Sequence, residues 1–535
     1  MRFVSARRAL PVSLASAAVL ALGMMPGIAN AAPKGEVGEQ CSGPRIEGAG
    51  STFQAPLQFI WTGVNSEKGN EKLKTGYDHS KSKDACSGTQ GTKAKPEVYY
   101  NQEEQFRGSG ACLRAFGEGT TEFGEEKTVD GQKLKFPDLN KFPECSTDEA
   151  PKQSVKEGYE KFVDKVAGFE GGKGEAIESL PVAQGAEAII VHLPKGCLAS
   201  SEIKTPTGKK EKLGRLALDR EVIEEIYRGK IKTWAQAMEK QGTDGDDHLE
   251  CPEGGLEKRI RPVVRADKSG TTHIFKAFLL QVYSGTFPAE EFKEVNKGEN
   301  PCKGEGELQK GAIVSWAQVS EGCENQRWPE EAEVLRPVET GNPGVINEVH
   351  KTESSIGYAD LAVAQERGFF SNKGEGGENE KGEQNEQFWA VVQDSAKTGK
   401  TETFSDPQTK GDIEKAEESN CKDTKYVAAK GEKFPPESTR DDWSKVKGED
   451  VSKTYAICGV TYVLAPRQMW YFLEPYKITE AESLKIATSV HDFLDFVTAK
   501  TGGQDELKKS DYEALPKAVQ EEDAVGAEEI GNKEA

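Results

Sequence analysis

The feature that most restricts the fold is a pattern met three times: a short β-prone run, an immediate turn of small residues, and a helical apolar spacing. In the central copy, Ile260-Arg261-Pro262-Val263-Val264 leads into Arg265-Ala266-Asp267-Lys268-Ser269-Gly270-Thr271-Thr272. Ile274, Phe275, Phe278, Leu279 and Val282 then recur at helical spacing. A helix starting there aims unpaired N–H groups, hydroxyls and the positive end of its dipole at one point. Gly270 permits close backbone approach, and Arg265 adds a fork matched to a tetrahedral oxyanion. The first copy is Ile46-Glu47-Gly48-Ala49-Gly50-Ser51-Thr52-Phe53-Gln54-Ala55-Pro56, followed by Leu57, Ile60, Trp61 and Val64, with Pro56 suited to a first helical turn. Between them stands a third: Glu97-Val98-Tyr99-Tyr100, then Phe106-Arg107-Gly108-Ser109-Gly110-Ala111-Cys112-Leu113. The central copy alone reads equally as an ordinary capped helix whose Arg265 and Asp267 form a surface pair. Together the three copies predict an α/β fold with a ligand where helix N-termini converge outside the strand ends.

Around these lie plainer signals. Leu180 to Val191 predicts a strand, Arg220 to Tyr227 a helix, Thr461 to Leu464 a strand, and His491 to Val497 a final amphipathic helix. Polar runs at 239–258, 296–311 and 372–386 read as solvated loops, and 117–140 as an insertion. Glu144-Cys145-Ser146-Thr147-Asp148-Glu149-Ala150-Pro151 reads as a turn that presents Asp148.

The N-terminus predicts a secretory leader over residues 1–31. Arg2, Arg7 and Arg8 form its basic region, Ala9 to Met25 is largely apolar, and Ala29-Asn30-Ala31 is a cleavage site. Its removal takes 70 basic residues to 67 against 90 acidic ones, so the net charge of −20 becomes −23. That balance argues against nucleic acid and anionic membranes as partners. No later apolar run approaches the ~20 residues of a membrane span, and the first cysteine, Cys41, lies beyond the cleavage point, so no lipid anchor is expected. Ten cysteines in an exported chain read as five disulfides, with sequential pairing such as Cys302 with Cys323 one of several connectivities.

Tools for breaking bonds are scarce. The six histidines form no His-Glu-x-x-His, no Gly-x-Ser-x-Gly elbow occurs, and no Cys-x-x-Cys pair suggests a metal. Gly168 to Gly174 lacks the spacing and final Ser/Thr of a P-loop and reads as a flexible loop. No catalytic residue, metal or cofactor is expected.

Five blocks together carry a resemblance: Gly48 to Pro56, Ile226-Tyr227-Arg228-Gly229-Lys230-Ile231-Lys232-Thr233-Trp234, Arg265 to Thr272, Ser355-Ile356-Gly357-Tyr358, and Asp511-Tyr512-Glu513-Ala514-Leu515-Pro516. In this order they resemble the periplasmic phosphate-binding protein, the substrate-binding component of the phosphate ABC transporter. The resemblance implies a two-lobed periplasmic-binding-protein fold (type II, clamshell) with polar insertions. Residues 32–185 and 396–535 would form one lobe and 186–395 the other. Inorganic phosphate would be held by Thr52, Phe53, Ser109, Asp148, Arg265, Ser269, Gly270 and Thr271, with Asp267 orienting Arg265. Asp148 would accept a hydrogen bond from protonated phosphate and repel sulfate, which carries no proton; Glu125 and Asp130 are weaker candidates for that role. Ala111-Cys112-Leu113 departs from the Ser/Gly run usual after Ser109 and removes one hydroxyl donor. The implied protein is a monomeric, non-enzymatic carrier that hands phosphate to permease subunits. The alternatives are a cell-surface or sensory phosphate-binding module, and a secreted phosphohydrolase.

Overall fold

The computed structural model describes residues 46–62, 64–65, 71–72, 77, 98–99, 108–116, 124–129, 132–137, 143–167, 176–241, 247–294, 308, 311–320, 325–370, 386–394, 403–408, 420–428, 433–448, 454–467, 469, 479–507 and 510–530. The expected leader, Cys41, Cys86, Cys302, Cys323, Asp130 and the Gly168–Gly174 loop lie outside them.

A nine-stranded mixed sheet organises these residues, and the fold class is α/β as expected. Its backbone is the strand Ile177–His192, sixteen residues long and buried throughout. At about 3.3 Å per residue it spans roughly 50 Å. Burial along its whole length, including Glu178, Gln184 and Glu187, marks a strand covered on both faces. Over Ile177 to Ala186 it pairs antiparallel with Cys458–Pro466, and from Glu187 to His192 with Ser355–Asp360. The exchange of neighbours at Ala186/Glu187 divides the sheet. On one side Cys458–Pro466 continues to Glu144–Thr147, Ile46–Gly50 and Val98–Tyr99, the last three mutually parallel. On the other, Ser355–Asp360 continues to the parallel strand Arg261–Pro262.

Each of the three small-residue turns therefore follows a parallel strand in chain order. Ile46–Gly50 feeds helix Ala55–Thr62, Val98–Tyr99 precedes helix Ser109–Ala115, and Arg261–Pro262 precedes helix Gly270–Val282. Gly50, at φ 129°, cannot be replaced without collision, since a Cβ there would lie 2.1 Å from the Ser146 carbonyl oxygen. Beneath the Gly270 helix, Phe275 stacks on Tyr358 at 4.3 Å and meets Tyr227 edge-on at 4.7 Å, which fixes the helix against its sheet.

The long strand carries a bulge opposite Cys458–Pro466: Thr461 faces Ala183, whereas the next residue, Tyr462, faces Pro181, which leaves Val182 as the extra residue. Proline has no N–H for the ladder and is tolerated at such irregularities.

Two local readings need correction. The expected final helix His491–Val497 is part of a longer one, Glu480–Thr498, begun by a capping box in which Thr479 and Glu482 each bond the other's backbone N–H. Helices Gly503–Glu506 and Lys517–Glu529 follow it. The run at 239–258, expected as a loop, holds the end of helix Trp234–Gln241 and the strand Asp247–Glu250. That strand pairs with Leu198–Lys204 beside the Cys197–Cys251 disulfide, so a cross-link and a partner strand offset its polarity. Within the expected insertion, Gly124–Val129 and Gln132–Pro137 form a hairpin that includes Glu125. The described disulfides, Cys112–Cys145, Cys197–Cys251 and Cys421–Cys458, each join a cysteine to the next along the chain.

Candidate functional site

Asp148 follows the strand Glu144–Thr147 and is buried. Three hydroxyls donate to its carboxylate. Ser51 and Ser109 reach Oδ2 at 2.5 and 3.0 Å, and Thr461 reaches Oδ1 at 2.8 Å. Each hydroxyl is itself oriented by a donor. Ser51 Oγ accepts from the Phe53 N–H at 3.0 Å, Ser109 Oγ from the Asp148 N–H at 3.0 Å, and Thr461 Oγ1 from Gln54 Nε2 at 2.8 Å. Burial pushes the Asp148 carboxyl above its ordinary value, while the three hydroxyls and the Arg265 charge pull the other way. A carboxylate offers about four acceptor positions. Three are taken, and one remains on Oδ1.

Arg265 is 2% exposed, so its fork is held in place rather than solvated. Its Nε and Nη2 donate to the two oxygens of Asp267 at 2.9 and 2.5 Å, its Nη1 to Thr271 Oγ1 at 3.1 Å, and its backbone N–H to Tyr358 Oη at 3.3 Å. The bidentate pair is the geometry that guanidinium and carboxylate favour. Ser269 caps the Gly270 helix by accepting from the Thr272 N–H at 3.2 Å.

These two groups of residues touch. A Cβ on Gly270 would stand 2.6 Å from both Asp148 Cβ and Ser109 Oγ. Gly108, at φ 92°, leaves room for Asp267 Oδ2 and Arg265 Nη2, which a Cβ would meet at 2.4 and 3.2 Å. The Gly110 N–H donates to the Lys268 carbonyl at 3.3 Å, and the Asn342 N–H to Thr52 Oγ1 at 3.0 Å. The Gly341 N–H donates to Asp267 Oδ1 at 3.1 Å. Beside Asp148 a cavity of about 40 Å³ opens between His273, Ile274 and Phe278 on one wall and Trp443, Ile457 and Tyr462 on the other.

The structure thus gathers Thr52, Phe53, Ser109, Asp148, Arg265, Asp267, Ser269, Gly270 and Thr271 in one region. Phe53 directs its N–H to Ser51, and Ser269 spends its hydroxyl on the helix cap. Sequence reading passed over Ser51 and Thr461 as partners of Asp148, and Gly341 and Asn342 as the contacts of Asp267 and Thr52. Ser51 stands inside the first small-residue turn and was findable there. Thr461 had no local signal, being 313 residues from Asp148. Among the described residues no group of His, Cys, Asp and Glu is placed to hold a metal ion, and no helix is long and apolar enough to cross a membrane.

Comparison with known proteins gives one family match: the model described as PBP superfamily domain covers residues 158–501. No curated protein matches the chain. Among solved structures, a high affinity periplasmic phosphate-binding protein bound with phosphate is similar at 15% identity and a TM-score of 0.46, over 89% of this chain and 92% of that one. A phosphate-binding protein from Stenotrophomonas maltophilia is similar at 14% identity and 0.47, over 90% and 93%. A human phosphate binding apolipoprotein is similar at 14% identity and 0.46, over 89% and 92%.

Proposed function

The chain belongs to the PBP superfamily, and from that premise we propose that it is an exported solute-binding protein that captures inorganic phosphate between two lobes and delivers it to an ABC importer. The observation that carries this reading is the meeting of Asp148, ringed by three hydroxyls, with Arg265 and the N-terminus of the Gly270 helix. Phosphate near neutral pH offers both things such a site can use: oxyanion oxygens for Arg265, Thr271, Thr52 and backbone N–H groups, and a P–OH proton for the remaining acceptor position on Asp148. Sulfate lacks the proton and would meet a carboxylate.

In this reading residues 32–185 and 396–535 form one lobe and 186–395 the other, a boundary close to the point where the long strand changes partners. Thr52, Phe53, Ser109 and Asp148 belong to the first; Arg265, Ser269, Gly270 and Thr271 belong to the second. Capture would begin on one lobe and end with closure that buries the anion, to be reversed when the permease subunits reopen the cleft. The protein works as a monomer, without cofactor or turnover. Export by the leader fits three disulfides among the described residues.

The test is calorimetric titration of phosphate and sulfate, separately, into protein unfolded and refolded with its disulfides intact to strip bound ligand. One-to-one binding of phosphate with no sulfate heat is expected. A folded sample that gives no phosphate heat would overturn the reading.

A further inference from the structure

The long strand exchanges neighbours at a residue the site has not used. Glu187 is fully buried, and the register of the sheet sets it directly opposite Asp360, also fully buried. Residues opposite one another in an antiparallel pair share a face. That face is the one toward the first small-residue turn: Gly185, two residues earlier, packs where a Cβ would meet the rings of Phe53 and Tyr512 at 2.8 and 2.9 Å. Asp360 Oδ1 accepts from the Val363 N–H at 3.0 Å and from Tyr512 Oη at 2.8 Å. Among the described residues its Oδ2 and both oxygens of Glu187 have no hydrogen-bond partner.

The surroundings add negative charge. Asp148 acts on both carboxyls, and Asp511 on Asp360. Arg265 is the cation that acts on Glu187, and it is already forked to Asp267. Tyr227, Tyr358 and Tyr455 also lie close to Glu187, the last donating its hydroxyl to the Glu187 carbonyl at 2.8 Å. Two buried carboxylates facing each other, and an anion brought in beside them, cannot all stay ionised.

We propose that Glu187 and Asp360 form a carboxyl pair that holds a proton while the two halves of the site are in contact, so that closure takes a proton from solvent and opening returns it. Ligand capture is then linked to proton uptake. The inference rests on the phosphate reading for its ligand and on the sheet register for the pair itself. Burial, the largest cause, raises both carboxyls well above their ordinary values, and the neighbouring carboxylates raise them further. The sign follows: a group whose acidity is weakened in the closed form stabilises that form fully below the open-state value of about 4. This stabilisation is lost as pH rises through the raised value.

The test titrates phosphate calorimetrically near neutral pH, in buffers of different ionisation enthalpy, into the wild type, Glu187→Gln and Asp360→Asn. Asparagine keeps the cap to Val363. The wild type is expected to take up as much as about one proton more per phosphate than either variant. Equal proton counts overturn the link. A second readout needs no ligand: between about pH 5 and 8, wild-type Tm should fall more steeply than that of the variants. Parallel profiles overturn the pair. Diverging profiles in a folded protein that gives no phosphate heat keep the pair and overturn the link to capture together with the phosphate reading.

Discussion

Ser109 and Asp148 exchange two hydrogen bonds, the serine hydroxyl donating to the carboxylate and the Asp148 N–H donating back to the hydroxyl, both at 3.0 Å. The elements that carry them are bolted together a few residues away, where Cys112 of helix Ser109–Ala115 is joined to Cys145 of strand Glu144–Thr147. The disulfide therefore sets the spacing of the site as well as closing a loop. Replacing both cysteines with alanine should cost about 3–4 kcal/mol, the chain-entropy value for a loop of this length. Urea unfolding would measure that loss. Phosphate affinity should fall as well, because the Ser109–Asp148 exchange loses its brace.

Asp148→Asn keeps size, exchanges one acceptor oxygen for an NH2 donor, and removes the charge that excludes a fully ionised anion. The ratio of phosphate to sulfate affinity should drop by at least about tenfold, or ~1.4 kcal/mol, and sulfate binding should become measurable by calorimetry. Unchanged discrimination would remove Asp148 from the selectivity argument.

Arg265→Lys retains a positive charge and loses the fork. Lysine cannot satisfy both oxygens of Asp267 and reach Thr271 together, so the cation is no longer held in one orientation. Phosphate affinity should weaken by about 10- to 100-fold, or ~1.4–2.8 kcal/mol. Thermal melting of the ligand-free protein is the control for a folding defect.

Gly270→Ala separates closure from folding. Alanine is the better helix former by about 1 kcal/mol, yet its methyl would enter space shared by Asp148 Cβ and Ser109 Oγ. The variant should keep its Tm within a few degrees and bind phosphate at least about tenfold more weakly. Wild-type affinity in this variant would mean that the contact is not part of the closed site.

Much of this site was legible in the chain because its parts are local. Small-residue turns, the Ser269 cap, the Asp267 fork on Arg265 two residues away, and the glycines at the closest approaches all act within a turn or so of their own backbone. The same rules predicted the α/β class, the helices after the three turns and the helix Arg220–Arg228, but not Gln153–Ala167, Gly341–Lys351 or Lys517–Glu529. They missed the start of Glu480–Thr498, although Thr479 and Glu482 carried the capping signal, because only the apolar stretch within it was read.

What tertiary structure alone decided is which distant residues meet. Thr461 reaches Asp148 from a strand paired with the bulged one, Asn342 closes on Thr52, and Glu187 faces Asp360 because a sixteen-residue strand changes partners at Ala186/Glu187. The Thr461 and Glu187 contacts follow from register, and a one-residue slip would turn those side chains to the opposite face of the sheet. Residue types and local spacing therefore determined where an anion could be seated. The pairing of strands decided which hydroxyls surround the carboxylate and which acid faces another.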